Sequence, residues 1–242
     1  EARSGTNWLG SLARNAGLGK SGEWLNRPLL GKSPGHERAH EFFEAALAGA
    51  TAGAGFYVKI FPWQLAESTR YFGEDFIRYC LARYPTSLIV IERRDRLRQA
   101  ISYARSLQTQ QWTANESSRR DPAYDFDQIC RFYFRAGRGH AFWRDYMMLL
   151  DLEARHFVYE DLLVDPMPYL THVADCMGAE APAEAVSPLR VQRDETTEIW
   201  LERFRADLAR RDVVSPAGID WRFKRSFSNL IRFLRGKKLG KR

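Results

Sequence analysis

Residues 87–102 read SLIVIERRDRLRQAIS. The first six form a short run rich in β-branched side chains, the pattern of a strand buried on both faces. Beyond Asp95 the period changes, because Leu97, Ala100, Ile101 and Ala104 recur at helical spacing. A buried strand that gives way within three residues to an amphipathic helix is the repeating unit of α/β proteins. Two further runs read as strands, residues 56–61 (FYVKIF) and 156–159 (HFVY). Helical patterns fit 7–16, 36–47, 73–84, 96–107, 126–150, 167–177 and 195–209. The expected architecture is a single α/β domain with a central parallel sheet flanked by helices. Ligands of such sheets sit beyond the carboxyl ends of the strands. The residues that follow each strand are therefore the first candidates for function.

The composition narrows the classes. Of 242 residues, 45% are apolar and 28% charged, enough for a full core and unlike a disordered or disulfide-stapled chain. The net charge of +7 is unevenly spread: nine of the 37 Lys and Arg fall in 222–242, which holds no acid. The preceding residues carry 28 cations against 30 acids, so the body lacks the basic stripe of a nucleic-acid binder. We divide the chain into a body, 1–221, and a basic amphipathic tail, 222–242. The three cysteines, Cys80, Cys130 and Cys176, lie far apart with no metal-ligand spacing, which fits a reducing, cytoplasmic setting and no metal. The longest uncharged run, 45–58, has 14 residues, too few to span a bilayer. Residues 26–35 and 114–124 are polar loops long enough to serve as lids.

Arg3, Ser4, Gly5, Thr6, Asn7 and Trp8 immediately precede a helix start. A permissive glycine among small hydroxyl residues lets successive amides converge on an anion, the helix dipole adds positive potential, and Arg3 adds a full charge. An ordinary N-cap would use the same residue types. Two stretches imitate a nucleotide loop, Gly19-Lys20-Ser21 and Gly31-Lys32-Ser33. Each lacks the glycine five residues upstream, where Arg14 and Asn26 stand. A kinase of the P-loop type is thereby disfavoured, though it stays the alternative enzyme class. On the helix after residue 95, Arg98, Ser102 and Arg105 share one side. Arg94, at the strand end, lies within reach of Ser102, so the two are expected to share a phosphate. A solvated basic face is the plain alternative.

Together these pieces resemble the PAPS-dependent sulfotransferases. The RSGTNW stretch is similar to their 5′-phosphosulfate loop, and Arg94 with Ser102 eight residues on resembles their pair for the 3′-phosphate of the donor. Residues 157–166, FVYEDLLVDP, resemble a strand-to-helix segment of the family. Within the superfamily the likeness is to the bacterial trehalose 2-sulfotransferase type. It rests on Arg93 to Ser102, Arg105, Gln108-Thr109 and Trp112, and on residues 19–25 (GKSGEWL), where Gly19 and Glu23 match while Ser21, Trp24 and Leu25 depart. Val58-Lys59 and residues 192–200 also resemble later motifs of that type.

The resemblance implies a P-loop-like phosphosulfate-binding loop and 3′-phosphoadenosine 5′-phosphosulfate (PAPS) as sulfonate donor, with no metal. It implies a carbohydrate or glycolipid hydroxyl as acceptor and Glu23 as general base. Residue chemistry agrees with that base: a carboxylate beside an apolar wall such as Trp24 is suited to take a hydroxyl proton. His36 and His40 are rival bases, and Lys59 is either an anion ligand or a strand-end charge. The family's strand before Arg3 is absent from the sequence, as expected of a start that lies further upstream. Phe223, Phe227, Leu230, Ile231 and Leu234 of the tail follow helical spacing among its cations. Such a helix can lie on an anionic membrane surface at the inner face of the cytoplasmic membrane, where a glycolipid acceptor would reside. A basic membrane-peripheral protein without catalysis is the second alternative. A homodimer and no nucleic acid complete the expected partners.

Overall fold

The computed structural model describes residues 1–25, 36–50, 55–113, 116–187 and 195–211. The tail, the lid candidate at 26–35 and the Gly31-Lys32-Ser33 stretch lie outside these residues. The elements run α1 (Thr6–Asn15), β1 (Lys20–Gly22), α2 (His36–Ala50), β2 (Phe56–Val58), α3 (Pro62–Phe72), α4 (Phe76–Arg83) and β3 (Ile89–Glu92). They continue with α5 (Arg96–Thr109), α6 (Phe126–Leu149), β4 (Arg155–Val158), α7 (Tyr159–Val164), α8 (Met167–Cys176) and α9 (Glu195–Ala209). Local chemistry sets several boundaries. Asp75, Asp95 and Asp125 cap α4, α5 and α6, each carboxylate accepting from backbone amides of the first turn. Pro62 opens α3 where its missing N–H costs nothing, and Gly73 closes it in the left-handed region.

The α/β class holds, but the sheet differs from the expected one. The described strands form two separate parallel pairs. Lys20, Ser21 and Gly22 pair with Phe56, Tyr57 and Val58, and Ile89–Glu92 pair with Arg155–Val158. A continuous central sheet is not formed among the described residues. The edges of β2 and β3 face each other across a cavity lined by Tyr57, Val58, Ile89, Val90 and Ile91, with His140 and Trp143 among its other walls. Its volume is about 190 Å³, and Thr6 and Lys59 also line it. β1 has no apolar signature and was not expected. It forms because Gly19, at φ 114, brings the chain against Gly55; a Cβ on Gly19 would lie 1.9 Å from the Gly55 carbonyl oxygen.

Three apolar clusters hold the elements. Leu9, Leu12, Ala13 and Leu18 sit against Phe157, Leu162, Leu170 and Val173, joining α1 to β4 and α8. Phe43, Leu65, Phe72, Phe76, Tyr79 and Trp143 form an aromatic cluster among α2, α3, α4 and α6. Ala100, Ile101, Ala104, Phe126, Ile129, Trp200 and Phe204 join α5, α6 and α9.

His140 of α6 is buried beside the cavity, and its Nε2 has no hydrogen-bond partner among the described residues. Burial pushes its pKa down from 6.5 to about 4. The unfolded chain therefore takes up this proton first as pH falls. The stability that His140 contributes by being neutral is present above pH 6.5 and declines by at most about 1.4 kcal/mol per pH unit towards pH 4. Denaturant titrations at pH 7.5 and 4.5 should show that loss in the wild type and a smaller one in His140→Leu. Equal losses would dissociate His140 from the acid sensitivity.

Candidate active site

The segment before α1 takes an uncommon course. Arg3 has φ 62 and Gly5 φ 82, so two left-handed residues flank Ser4, whose hydroxyl donates to the Glu1 carbonyl at 2.6 Å and is fully buried. A Cβ on Gly5 would lie 2.3 Å from Cδ2 of Tyr159, so only glycine fits there. Trp8 meets the same tyrosine edge-on, with ring centroids 6.3 Å apart.

The strand ends converge on this segment from both pairs. Glu23 follows β1 and Lys59 follows β2. The Lys59 ammonium donates to Oδ1 of Asn7 at 2.5 Å and lies 3.5 Å from Oε1 of Glu23. Lys59 is 16% exposed and Glu23 35%, and burial holds the lysine below the usual ammonium range although Glu23 opposes that shift. Lys59, ambiguous in the sequence, thus links the residue after β1 to the first turn of α1. On the other side Arg93, the first residue after β3, donates from Nη1 to the Arg3 carbonyl at 2.9 Å, and its guanidinium lies over the Tyr159 ring.

The guanidinium of Arg3 crosses to α5. Nε donates to Oγ of Ser102 at 2.9 Å and Nη1 to the Trp112 carbonyl at 2.5 Å. Its pKa is lowered to about 10, first by burial and then by the like charge of Arg93. Ser102 is therefore brought to Arg3, a pairing across 99 residues that the sequence did not signal. Arg94 is placed elsewhere. Its guanidinium makes a two-pronged pair with Asp161 at 2.8 and 2.9 Å, and it is 63% exposed. In this structure Arg94 pairs with Asp161 at the start of α7, which leaves the expected sharing of a phosphate by Arg94 and Ser102 as a proposal. Glu160 fixes the turn itself, accepting from the amides of Arg94 at 2.9 Å and Asp95 at 3.1 Å. This gives the YEDL segment a structural task.

Two other expectations shift. The Trp24 indole donates to the Tyr57 carbonyl at 3.1 Å and lies against Phe56, so the ring is anchored to β2. His40 is held by the Phe72 carbonyl at 3.1 Å and by the rings of Phe72 and Tyr79 in the aromatic cluster. It is half-buried against that cluster. Among the described residues no group of three or more His, Cys, Asp or Glu could hold a metal ion. No described helix is long and apolar enough to cross a membrane.

The assembled edge is rich in donors, with Arg3, Arg93, Ser102, Lys59 and the α1 terminus, and holds the carboxylates of Glu23, beside Lys59, and Glu160, beside Arg93. An anion-handling transferase fits that chemistry. The model of the Stf0 sulphotransferase family matches residues 64–207, and the chain belongs to that family. It is thus a sulfotransferase, as the resemblance at Arg93–Trp112 implied. The match takes in Arg93, Arg94, Ser102 and Arg105, while Arg3–Trp8, Glu23 and Lys59 lie before it. No curated protein matches the chain.

Proposed function

We propose that the chain transfers a sulfonate group from PAPS to a hydroxyl of a carbohydrate or glycolipid acceptor. When bound, the donor supplies an activated sulfonate on a phosphate leaving group. Transfer of this kind passes through a loose, charged arrangement, so catalysis is mainly positioning and charge stabilisation, by analogy with phosphoryl transfer. The observation that carries the reading is the position of the Arg3–Asn7 loop. It is held between Lys59 and Glu23 on one side and Arg93 and Ser102 on the other. Arg3, Ser4, Gly5, Thr6, Asn7 and Trp8 form the phosphosulfate loop in this reading, with Arg3 stabilising charge on the leaving phosphate. Glu23 accepts the acceptor's proton. Lys59 holds the Glu23 carboxylate against Asn7 and adds positive charge between base and loop.

Arg94 remains the proposed ligand of the 3′-phosphate. Its pair with Asp161 is exposed, and such pairs contribute little to stability, so a phosphate can replace the carboxylate. We expect Arg94→Ala to weaken 3′,5′-ADP binding roughly 10- to 100-fold while 5′-AMP, which lacks the 3′-phosphate, binds as before. Titration calorimetry with both nucleotides reads the difference, and equal losses would contradict the assignment. The function itself is tested by incubating the chain with PAPS and, separately, with ATP over a panel of sugars. Release of 3′,5′-ADP with a sulfated sugar is expected. Turnover of ATP alone would favour the kinase alternative.

A further inference from the structure

The turn after β3 and the start of α7 are fastened to each other. Glu160 accepts from the Arg94 amide at 2.9 Å and the Asp95 amide at 3.1 Å, and its Oε1 lies 3.8 Å from Nε of Arg93. One residue on, Asp161 meets the Arg94 side chain. The Glu160 contacts fix where both side chains begin, so the Asp161 carboxylate is kept beside Arg94 at a high effective concentration.

The way the two meet decides what else Arg94 can hold. Both Asp161 oxygens accept from a single nitrogen, Nη2, at 2.8 and 2.9 Å. A guanidinium offers two edges to a two-pronged anion, Nε with Nη2 and Nη1 with Nη2, because the second N–H of Nη1 points back at Cδ. Nη2 belongs to both edges. While Asp161 occupies it, a phosphate finds only single contacts on Arg94, and a carboxylate left on the same guanidinium would also repel a dianion. The pair nevertheless parts readily: Arg94 is 63% exposed and Asp161 62%, so water solvates both groups when they separate.

We infer that Asp161 is an internal competitor of the donor's 3′-phosphate for Arg94, and so a residue that sets how tightly the site holds 3′-phosphorylated nucleotides. The inference rests on the assignment of Arg94 to the 3′-phosphate made above and deepens it. Donor and product both carry that phosphate, so the carboxylate weakens the hold on each. When 3′,5′-ADP leaves, Asp161 takes the guanidinium back, and the product departs from a cation that is at once re-paired.

Calorimetric titration of the full chain with 3′,5′-ADP and 5′-AMP tests it, in the wild type, Asp161→Asn, Arg94→Ala and the double variant. Asp161→Asn keeps the size of the side chain and removes its charge. It should tighten 3′,5′-ADP binding by about 3- to 10-fold and leave 5′-AMP as it was. In the Arg94→Ala background the same substitution should shift affinity by less than about two-fold, because no guanidinium remains to compete for. Unchanged or weaker 3′,5′-ADP binding in Asp161→Asn overturns the proposal. Equal tightening for both nucleotides, or a gain that persists without Arg94, overturns it too, since either would mean plain charge repulsion. Should Asp161→Asn melt well below the wild type, Asp161→Ser, also uncharged, decides by the same comparisons. The reading of Arg94 fails separately: Arg94→Ala would then bind 3′,5′-ADP like the wild type, and the competitor role would fall with it.

Discussion

Glu23→Gln should lower kcat by about 10²-fold or more while leaving the affinity for 3′,5′-ADP within a factor of about two. The substitution keeps the shape and hydrogen-bonding reach of the side chain and removes its ability to take a proton. In the structure Glu23 is the carboxylate at the end of β1, and its Oε1 lies 3.5 Å from the Lys59 ammonium. Lys59 in turn donates to Asn7, so the base candidate and the anion loop share one cation. The amide of the variant can still accept from Lys59, which is why nucleotide affinity should persist. The measurement is steady-state turnover at saturating PAPS and acceptor beside a nucleotide titration. Near-normal kcat would remove Glu23 from the mechanism, and an equal collapse of affinity would show that the substitution disturbed the loop.

The sequence made the longer elements legible because their periodicity is carried by many residues. The α5 stripe of Leu97, Ala100, Ile101 and Ala104 is buried or half-buried against α6 and α9. The strand at 87–92 appears as β3, trimmed to Ile89–Glu92. β1 was not legible, although β2, equally short, lies within the expected strand at 56–61. β1 spans Lys20–Gly22, and three residues of Lys, Ser and Gly carry no hydrophobic period at all. Its sign was the pair of glycines, Gly19 and Gly55, whose close approach admits no side chain. α3 was not among the expected helices, although Pro62 at its start and Gly73 past its end mark it.

In the site, the helix expected after Asp95 carries both Ser102 and Arg105, at a spacing that puts them on one face. Spacing was a poor guide to charge partners. Arg94 and Ser102 sit at a workable separation, yet Asp161, 67 residues away in sequence, took the guanidinium. A side chain as long as arginine goes to the strongest acceptor the fold supplies, and that acceptor is set by tertiary packing. The residue that reached Ser102 was instead Arg3, 99 residues away in the other direction. Lys59 was undecidable for the same reason, since both its partners come from other elements.

Arg3→Ala should cost kcat/KM for PAPS about 10²- to 10³-fold, the scale seen when a preorganised donor to developing charge is removed. Backbone strain does not confound the comparison, since arginine and alanine both carry a Cβ at φ 62. What the variant loses is the guanidinium between Ser102 and the Trp112 carbonyl, along with a positive charge beside Arg93. Arg3→Lys keeps a charge but not the planar fork, so it should recover only part of the activity. The depressed pKa of Arg3 adds a second readout. With the guanidinium titrating at about 10, affinity for 3′,5′-ADP should be level through neutral pH and fall as pH rises through about 10. In Arg3→Ala that alkaline fall should flatten, because the group responsible is gone. The folding linkage has the opposite sign: a buried cation whose folded pKa lies below its unfolded value penalises the folded state while charged, and the penalty is relieved as pH climbs above about 10. Stability that holds or rises while affinity falls would separate loss of the anion contact from alkaline unfolding. Nucleotide affinity at pH 7.5 that is unchanged in Arg3→Ala would show that Arg3 does not touch the bound nucleotide.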